Sequence, residues 1–224
     1  TEVALIDHNG EGEATANIQL CTAHWYGGNR EQSCENTVKS VKKLLGGIQI
    51  DGYYELNMSE IPKLNNMVDG VTVTLEDDFS KKYPKMKKGA TINLDDEQAY
   101  AYVHDRYGVG NEENTSRMKR QQQYMTGFFK KLQEKVKANL NYANEVFESL
   151  QDVSTTDITI GKISNISNIF ASGTDKGIFE LAGKSKIGQA LGDEIDHMEF
   201  YVNKKAMVST MSELFGIVEQ KNKE

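Results

Sequence analysis

From Met118 to Leu150, apolar residues recur at steps of 3, 4 and 7: Met118, Met125, Phe128, Phe129, Leu132, Val136, Leu140, Ala143, Phe147 and Leu150. At about 100° per residue these positions share one side of a helix. The spacing predicts a helix running from roughly 115 to 150, and such a helix must bury its apolar side against another layer. Around it the pattern changes to short pieces. Val71-Thr-Val-Thr-Leu75 alternates with β-branched residues and reads as a strand. Val3–Ile6, Tyr53–Met58 and Phe200–Val202 are also strand-like. Helices are expected from Asn36 to Gly46-Gly47, from a Ser59 cap through Ile61, Leu64 and Met67, over 155–170, and over 204–218. Ile18–Tyr26 closes at Gly27-Gly28 in the manner of a helix C-cap, Asn9-Gly10-Glu11-Gly12 marks a turn, and 173–192 reads as looser. Asp95 followed by Gln98 is a capping-box start for a helix through Ala99, Tyr102 and Val103. Strands alternating with helices imply an α/β class: a layered α-β-α domain with a central mixed sheet flanked by helices. No repeat or linker interrupts residues 1–224, so a single domain is expected.

Composition removes several classes. The net charge is −7, which opposes nucleic-acid binding by counterion release. The longest unbroken apolar run is the five residues Ala99–Val103, too short to span a bilayer. Cys21 and Cys34 lie 13 positions apart. A bridge between them would be worth about 3 kcal/mol in an exported protein, but spacing does not decide whether they pair.

Arginine is the informative residue. Of 26 basic residues only four are Arg, namely Arg30, Arg106, Arg117 and Arg120, and three of them fall within fifteen positions. Arg supplies a flat, permanent charge with several donors, suited to phosphate or carboxylate. Asn114, Thr115 or Ser116 suits the N-cap of the long helix, which places Arg117 and Arg120 in its first turn with Gln121 and Tyr124 on the same stripe. Cations are disfavoured at a helix N-terminus unless an anion binds there. Arg106 approaches from the preceding helix across a loop containing Gly108 and Gly110. Together these residues describe an oxyanion pocket that a diphosphate would fill. The competing reading pairs the arginines with Asp105, Glu112 and Glu113.

Other motifs are weaker. Gly183-Lys184-Ser185 lacks the earlier glycine of a P-loop. Cys21 and His24 have the spacing of a nucleophile with its base, or of half a metal site, but a buried thiol beside a structural histidine is the simpler reading. His8, His104 and His197 are scattered, which argues against a His-rich zinc site. The acidic runs Glu76-Asp77-Asp78 and Asp95-Asp96-Glu97 read as solvated charge.

The block Asn93-Leu-Asp-Asp-Glu-Gln98-Ala-Tyr-Ala-Tyr-Val103, then Arg106, a glycine loop and Asn114-x-x-Arg117-x-x-Arg120-Gln121, resembles the signature of the LytR–CpsA–Psr family, which ends in R-x-x-RQ. Ala23-His24-x-Tyr26-Gly27-Gly28, Ile50-Asp51-x-Tyr53 and Met67-Val68-Asp69-Gly70-Val71 are similar to its upstream landmarks. The match in order and spacing covers residues 1–150, and 151–224 match loosely. The resemblance implies a membrane-anchored enzyme on the extracellular face of the cell membrane. It would transfer a teichoic acid or capsule glycopolymer from an undecaprenyl-pyrophosphate carrier to peptidoglycan, with Mg²⁺ assisting. Arg106 and Arg117 then fit diphosphate ligands with a catalytic role, while Arg120, Gln121, His104 and Asn114 fit substrate-binding positions. His104 stands where the family usually has Arg, Asn114 where it usually has Asp, and Asp69 where it has Gly. The family's opening strands, with their acidic metal ligands, have no counterpart here, so the resemblance leaves the metal ligands and the general base unassigned. Val3–Ile6 is therefore expected to border a sheet position that this chain does not fill.

Overall fold

The structure is a computed structural model and describes residues 2–6, 13–190 and 194–216. In chain order the elements are β1 (Glu2–Ile6), β2 (Glu13–Asn17), a 3-10 helix (Leu20–Tyr26), α1 (Arg30–Leu44), β3 (Tyr54–Leu56), a 3-10 turn (Met58–Glu60), α2 (Ile61–Met67), β4 (Thr72–Thr74) and β5 (Thr91–Asn93). There follow α3 (Asp96–His104), α4 (Asn114–Ala138), α5 (Tyr142–Ser149), a 3-10 turn (Gln151–Val153), β6 (Ser154–Thr156), α6 (Ile160–Ser172), β7 (Gly183–Gly188), β8 (His197–Val202) and α7 (Lys204–Phe215). The α/β class holds. In place of one central mixed sheet, the described strands form four two-stranded sheets, β1–β2, β3–β6, β4–β5 and β7–β8. Sheets β1–β2, β4–β5 and β7–β8 are antiparallel. The turn expected at Asn9–Gly12 and the expected helix end at Val218 lie outside the described residues.

Two compact units divide the chain, although no composition break marks their borders. One takes the chain up to Glu55, the short piece Thr155–Asp157 and the region from Phe179 onward; the other takes Leu56–Ser154 and Ile158–Ile178.

In the first unit β1 pairs with β2, Glu2 opposite Asn17 through Ile6 opposite Glu13, and β2 is the only sheet neighbour of β1 among the described residues. Helix α1 begins six residues before the apolar repeat suggests, because Asn29 accepts from the Gln32 N–H and caps it. It ends where Gly46 and Gly47 take positive φ. Cys34, Ser33, Asn36 and Ser40 form its buried side. Asp157 accepts from the Tyr53 N–H at 2.8 Å, and the Thr156 hydroxyl donates to the Tyr53 carbonyl at 2.5 Å. Both cysteines are free thiols, Cys21 exposed and Cys34 buried. Gly183-Lys184-Ser185 sits in β7, a strand that the looser reading of 173–192 did not anticipate.

The second unit carries the apolar core. Val68, Val71, Val73, Leu75, Leu94 and Tyr102 are among its buried side chains. Helix α3 starts on the expected capping box: Asp95 Oδ1 accepts from Gln98 N–H at 2.9 Å, and Gln98 Oε1 accepts from Asp95 N–H at 3.2 Å. The expected helix over 115–150 is two helices, α4 and α5, parted at Asn139–Asn141. Its N-cap residue is Glu113, whose side chain makes no capping bond, and not Asn114, Thr115 or Ser116. Tyr124, Phe128 and Val136 bury one side of α4, whereas Met118, Met125 and Phe129 are exposed. Asp69 has φ 58°, which explains why a glycine suits that position.

Candidate functional site

The site lies in the second unit, where α3 ends, residues 105–113 loop over, and α4 begins. Arg120 anchors this corner from inside. It is 1% exposed, and its Nε donates to the Tyr102 carbonyl at 2.9 Å. Its Nη1 pairs with Asp77, its Nη2 donates to the Asp105 carbonyl, and the guanidinium lies 5.3 Å over the Phe79 ring. Gly110, at φ 55°, packs directly on the Asp77 carboxylate, where a Cβ would collide. The loop glycine thus permits the ion pair beneath it. Gln121 Nε2 donates to the Val103 carbonyl at 2.9 Å, a second tie between α4 and the end of α3. In this structure the donors of Arg120 and Gln121 hold the corner's backbone.

Arg106 and Arg117 differ from Arg120 in burial and in partners. Both are half-buried, and the Nε of each is buried without a hydrogen-bond partner among the described residues. Arg106 donates from Nη2 to the Tyr107 hydroxyl and stacks 4.3 Å above that ring. Arg117 donates from Nη2 to Asn114 Oδ1 at 2.7 Å. The three acids that would neutralise them are engaged elsewhere. Asp105 meets Lys82 at 3.6 Å and His104 Nδ1 at 3.1 Å. Glu112 accepts from the Gly108 N–H at 2.8 Å, and Glu113 accepts from the Thr115 hydroxyl at 3.0 Å. Among the described residues none of these three acids forms an ion pair with the arginine cluster; Arg120 pairs instead with Asp77, 43 positions upstream. Sequence reasoning missed Asp77 because it lies in a run that reads as solvated charge.

The first turn of α4 contains no acidic residue and no side-chain cap, so its N–H groups and dipole add to the positive field of Arg106 and Arg117. Asn114, at the start of α4, is the acceptor for Arg117 Nη2. His104 is exposed, stacked on Tyr100 at 4.8 Å with its Nδ1 toward Asp105. A cavity of about 540 Å³ in the same unit lies over α2 and the start of α3, lined by Asp69, Asp95, Asp96 and Glu97 with Asn65 and Asn93. Its acidic lining repels a bare diphosphate. Lys135 bonds Asp69 at 2.8 Å and holds that carboxyl below its ordinary range.

The chain matches the model of the LytR_cpsA_psr family over residues 2–215, across both units. It belongs to the LytR–CpsA–Psr family. The family's role is cell-wall glycopolymer transfer. Solved structures share the fold. TagU of B. subtilis is 19% identical, with a TM-score of 0.59 over 100% of this chain and 84% of that one. TagV of B. subtilis is 19% identical, with a TM-score of 0.63 over 95% and 78%. TagT, also known from B. subtilis, has been solved bound to LI-WTA; that structure is 19% identical, with a TM-score of 0.61 over 95% and 75%. No curated protein matches the chain. No described helix of this LytR–CpsA–Psr protein is long and apolar enough to cross a membrane.

Proposed function

We propose that this chain is a phosphotransferase that moves a teichoic-acid or capsule-type glycopolymer from an undecaprenyl-pyrophosphate carrier to peptidoglycan, at the outer face of the cell membrane. The observation that carries the reading is the pair Arg106 and Arg117. Half-buried guanidinium groups with unsatisfied Nε donors and no carboxylate partner among the described residues are costly unless an anion completes them. A diphosphate supplies the oxygens and the charge. Met118, Met125 and Phe129, exposed at helical spacing along α4, give an apolar stripe that starts beside Arg117 and suits a polyprenyl chain. The complex of TagT with LI-WTA agrees with a ligand of this kind.

In the proposed step an acceptor hydroxyl of peptidoglycan attacks the phosphorus nearest the glycan. The bond from that phosphorus to the bridging oxygen breaks, polyprenyl phosphate leaves, and the hydroxyl proton passes to a base. Arg106 and Arg117 stabilise the charge that grows on the leaving phosphate. Arg120 and Gln121 fix the backbone that presents them, and His104 stands at the rim with Asp105. Mg²⁺ enters this reading through the family resemblance. Its ligands are not assigned: among the described residues the one trio of close ligating side chains is His24, Cys34 and Glu55, in the other unit and of softer chemistry than Mg²⁺ takes. No step here passes through a metal. A second reading is a protein that holds the anionic lipid or wall polymer without turnover.

Transfer of polyprenyl-diphosphate-linked glycopolymer onto peptidoglycan separates the two. The proposal expects polymer-bearing peptidoglycan and released polyprenyl phosphate, both lost in Arg117→Ala. Binding without product supports the second reading, and neither binding nor product overturns both.

A further inference from the structure

We infer that His24, Cys34 and Glu55 form a binding site for a zinc-class transition-metal ion in the first unit. The three residues come from separate elements, the 3-10 helix Leu20–Tyr26, α1 and β3, and the fold brings one ligand atom of each within 4.8 Å of the others. Cys34 is 4% exposed. His24 Nε2 is buried and has no hydrogen-bond partner. A structural histidine ordinarily has its buried nitrogen satisfied, so this orphaned atom beside a buried thiol and a carboxylate asks for a different partner. Arg30 bonds one oxygen of Glu55, with Nη2 to Oε2 at 2.6 Å, which steadies the carboxylate.

The donor set decides the ion. Thiolate sulfur and imidazole nitrogen select Zn²⁺ and its neighbours, whereas Mg²⁺ prefers an all-oxygen octahedron. Zn²⁺ bonds of about 2.0–2.3 Å in a tetrahedron put ligand atoms roughly 3.3–3.7 Å apart, so side-chain rotations of order 1 Å close the site. Three protein ligands leave the fourth position open to water or a small ligand. A bound ion would tie the 3-10 helix, α1 and β3 together.

The test is Co²⁺ alone, titrated into the reduced full chain carrying Cys21→Ser. The chain has only two cysteines, so any thiolate-to-cobalt band in this protein arises from Cys34. The expected result is a saturable near-ultraviolet charge-transfer band with visible d–d absorption, displaced by Zn²⁺ and not by Mg²⁺. Calorimetry should show Zn²⁺ affinity falling at least about tenfold in His24→Gln and in Cys34→Ser, since loss of even an outer partner costs that much. Absence of a saturable band in the Cys21→Ser chain overturns the site, even if Cys34→Ser fails to fold. Unchanged Zn²⁺ affinity in a folded His24→Gln protein overturns it as well.

Discussion

Arg117 and Arg120 stand one turn apart on α4 and do opposite work. Arg120 is buried against Asp77, so Arg120→Ala strands a carboxylate in a nearly dry setting. We expect that substitution to lower unfolding free energy by about 3–5 kcal/mol, read as a fall in the urea midpoint. Arg120→Lys should not restore it, because one ammonium cannot span Asp77 and the Tyr102 and Asp105 carbonyls together. Arg117→Ala should leave stability unchanged or raise it by about 0.3–1 kcal/mol, since it removes a cation from a helix N-terminus. A large loss in Arg117→Ala would show that it, too, is structural. The arginine cluster was legible from composition, because a lysine-rich chain that spends its few arginines in one place is marking a need for fixed, multi-donor charge. Which of them faces inward was not legible. Arg120's partner sits 43 residues away, and Cys34 likewise meets His24 and Glu55 only through the fold, while the sequence drew the eye to Cys21 beside His24.

Elements whose signals are local came out of the sequence directly. The Asp95–Gln98 capping box predicts the start of α3 because both bonds lie within one turn. The close of α1 at Gly46-Gly47 follows from backbone preference alone. The apolar repeat through 118–150 runs on across the break between α4 and α5, because Leu140 keeps the spacing while being exposed. Strand β7, Gly183-Lys-Ser-Lys-Ile-Gly188, has no alternation and exists through its ladder with β8, a non-local pairing. Gly127 shows tertiary packing overriding propensity in the middle of α4. A Cβ there would sit 2.6 Å from Val71 Cγ1, so the helix lies on its neighbour at a distance only glycine allows. Gly127→Ala should therefore destabilise by about 1–3 kcal/mol despite the roughly 1 kcal/mol that alanine gains in a helix. Adding Val71→Ala should recover part of that loss in a double-mutant cycle, and strict additivity would refute the contact.

At the scale of the molecule, the family match runs through both compact units, and the proposed chemistry resides in the one that also holds the apolar core. That core carries a pH signature. Burial, ahead of the nearby acids, pushes the phenols of Tyr102 and Tyr124 far above their ordinary value of 10.0. A group whose folded pKa is raised contributes stability below its unfolded pKa and loses it as pH climbs above that value. Wild-type stability should fall as pH passes about 10, and Tyr124→Phe should flatten that alkaline slope in denaturation series at stepped pH. An unchanged slope would place the titration elsewhere. The central claim is that Arg106 and Arg117 form a diphosphate site on a stable scaffold. The direct measurement is equilibrium binding of a polyprenyl diphosphate to the full chain and to its Arg106→Ala and Arg117→Ala variants, with thermal melts run alongside. The account predicts saturable binding by the wild type and a loss of about 1.5–3 kcal/mol, roughly 10- to 150-fold, in each variant at unchanged melting temperature. Equal affinity in wild type and variants, or no binding by the wild-type chain, would contradict it.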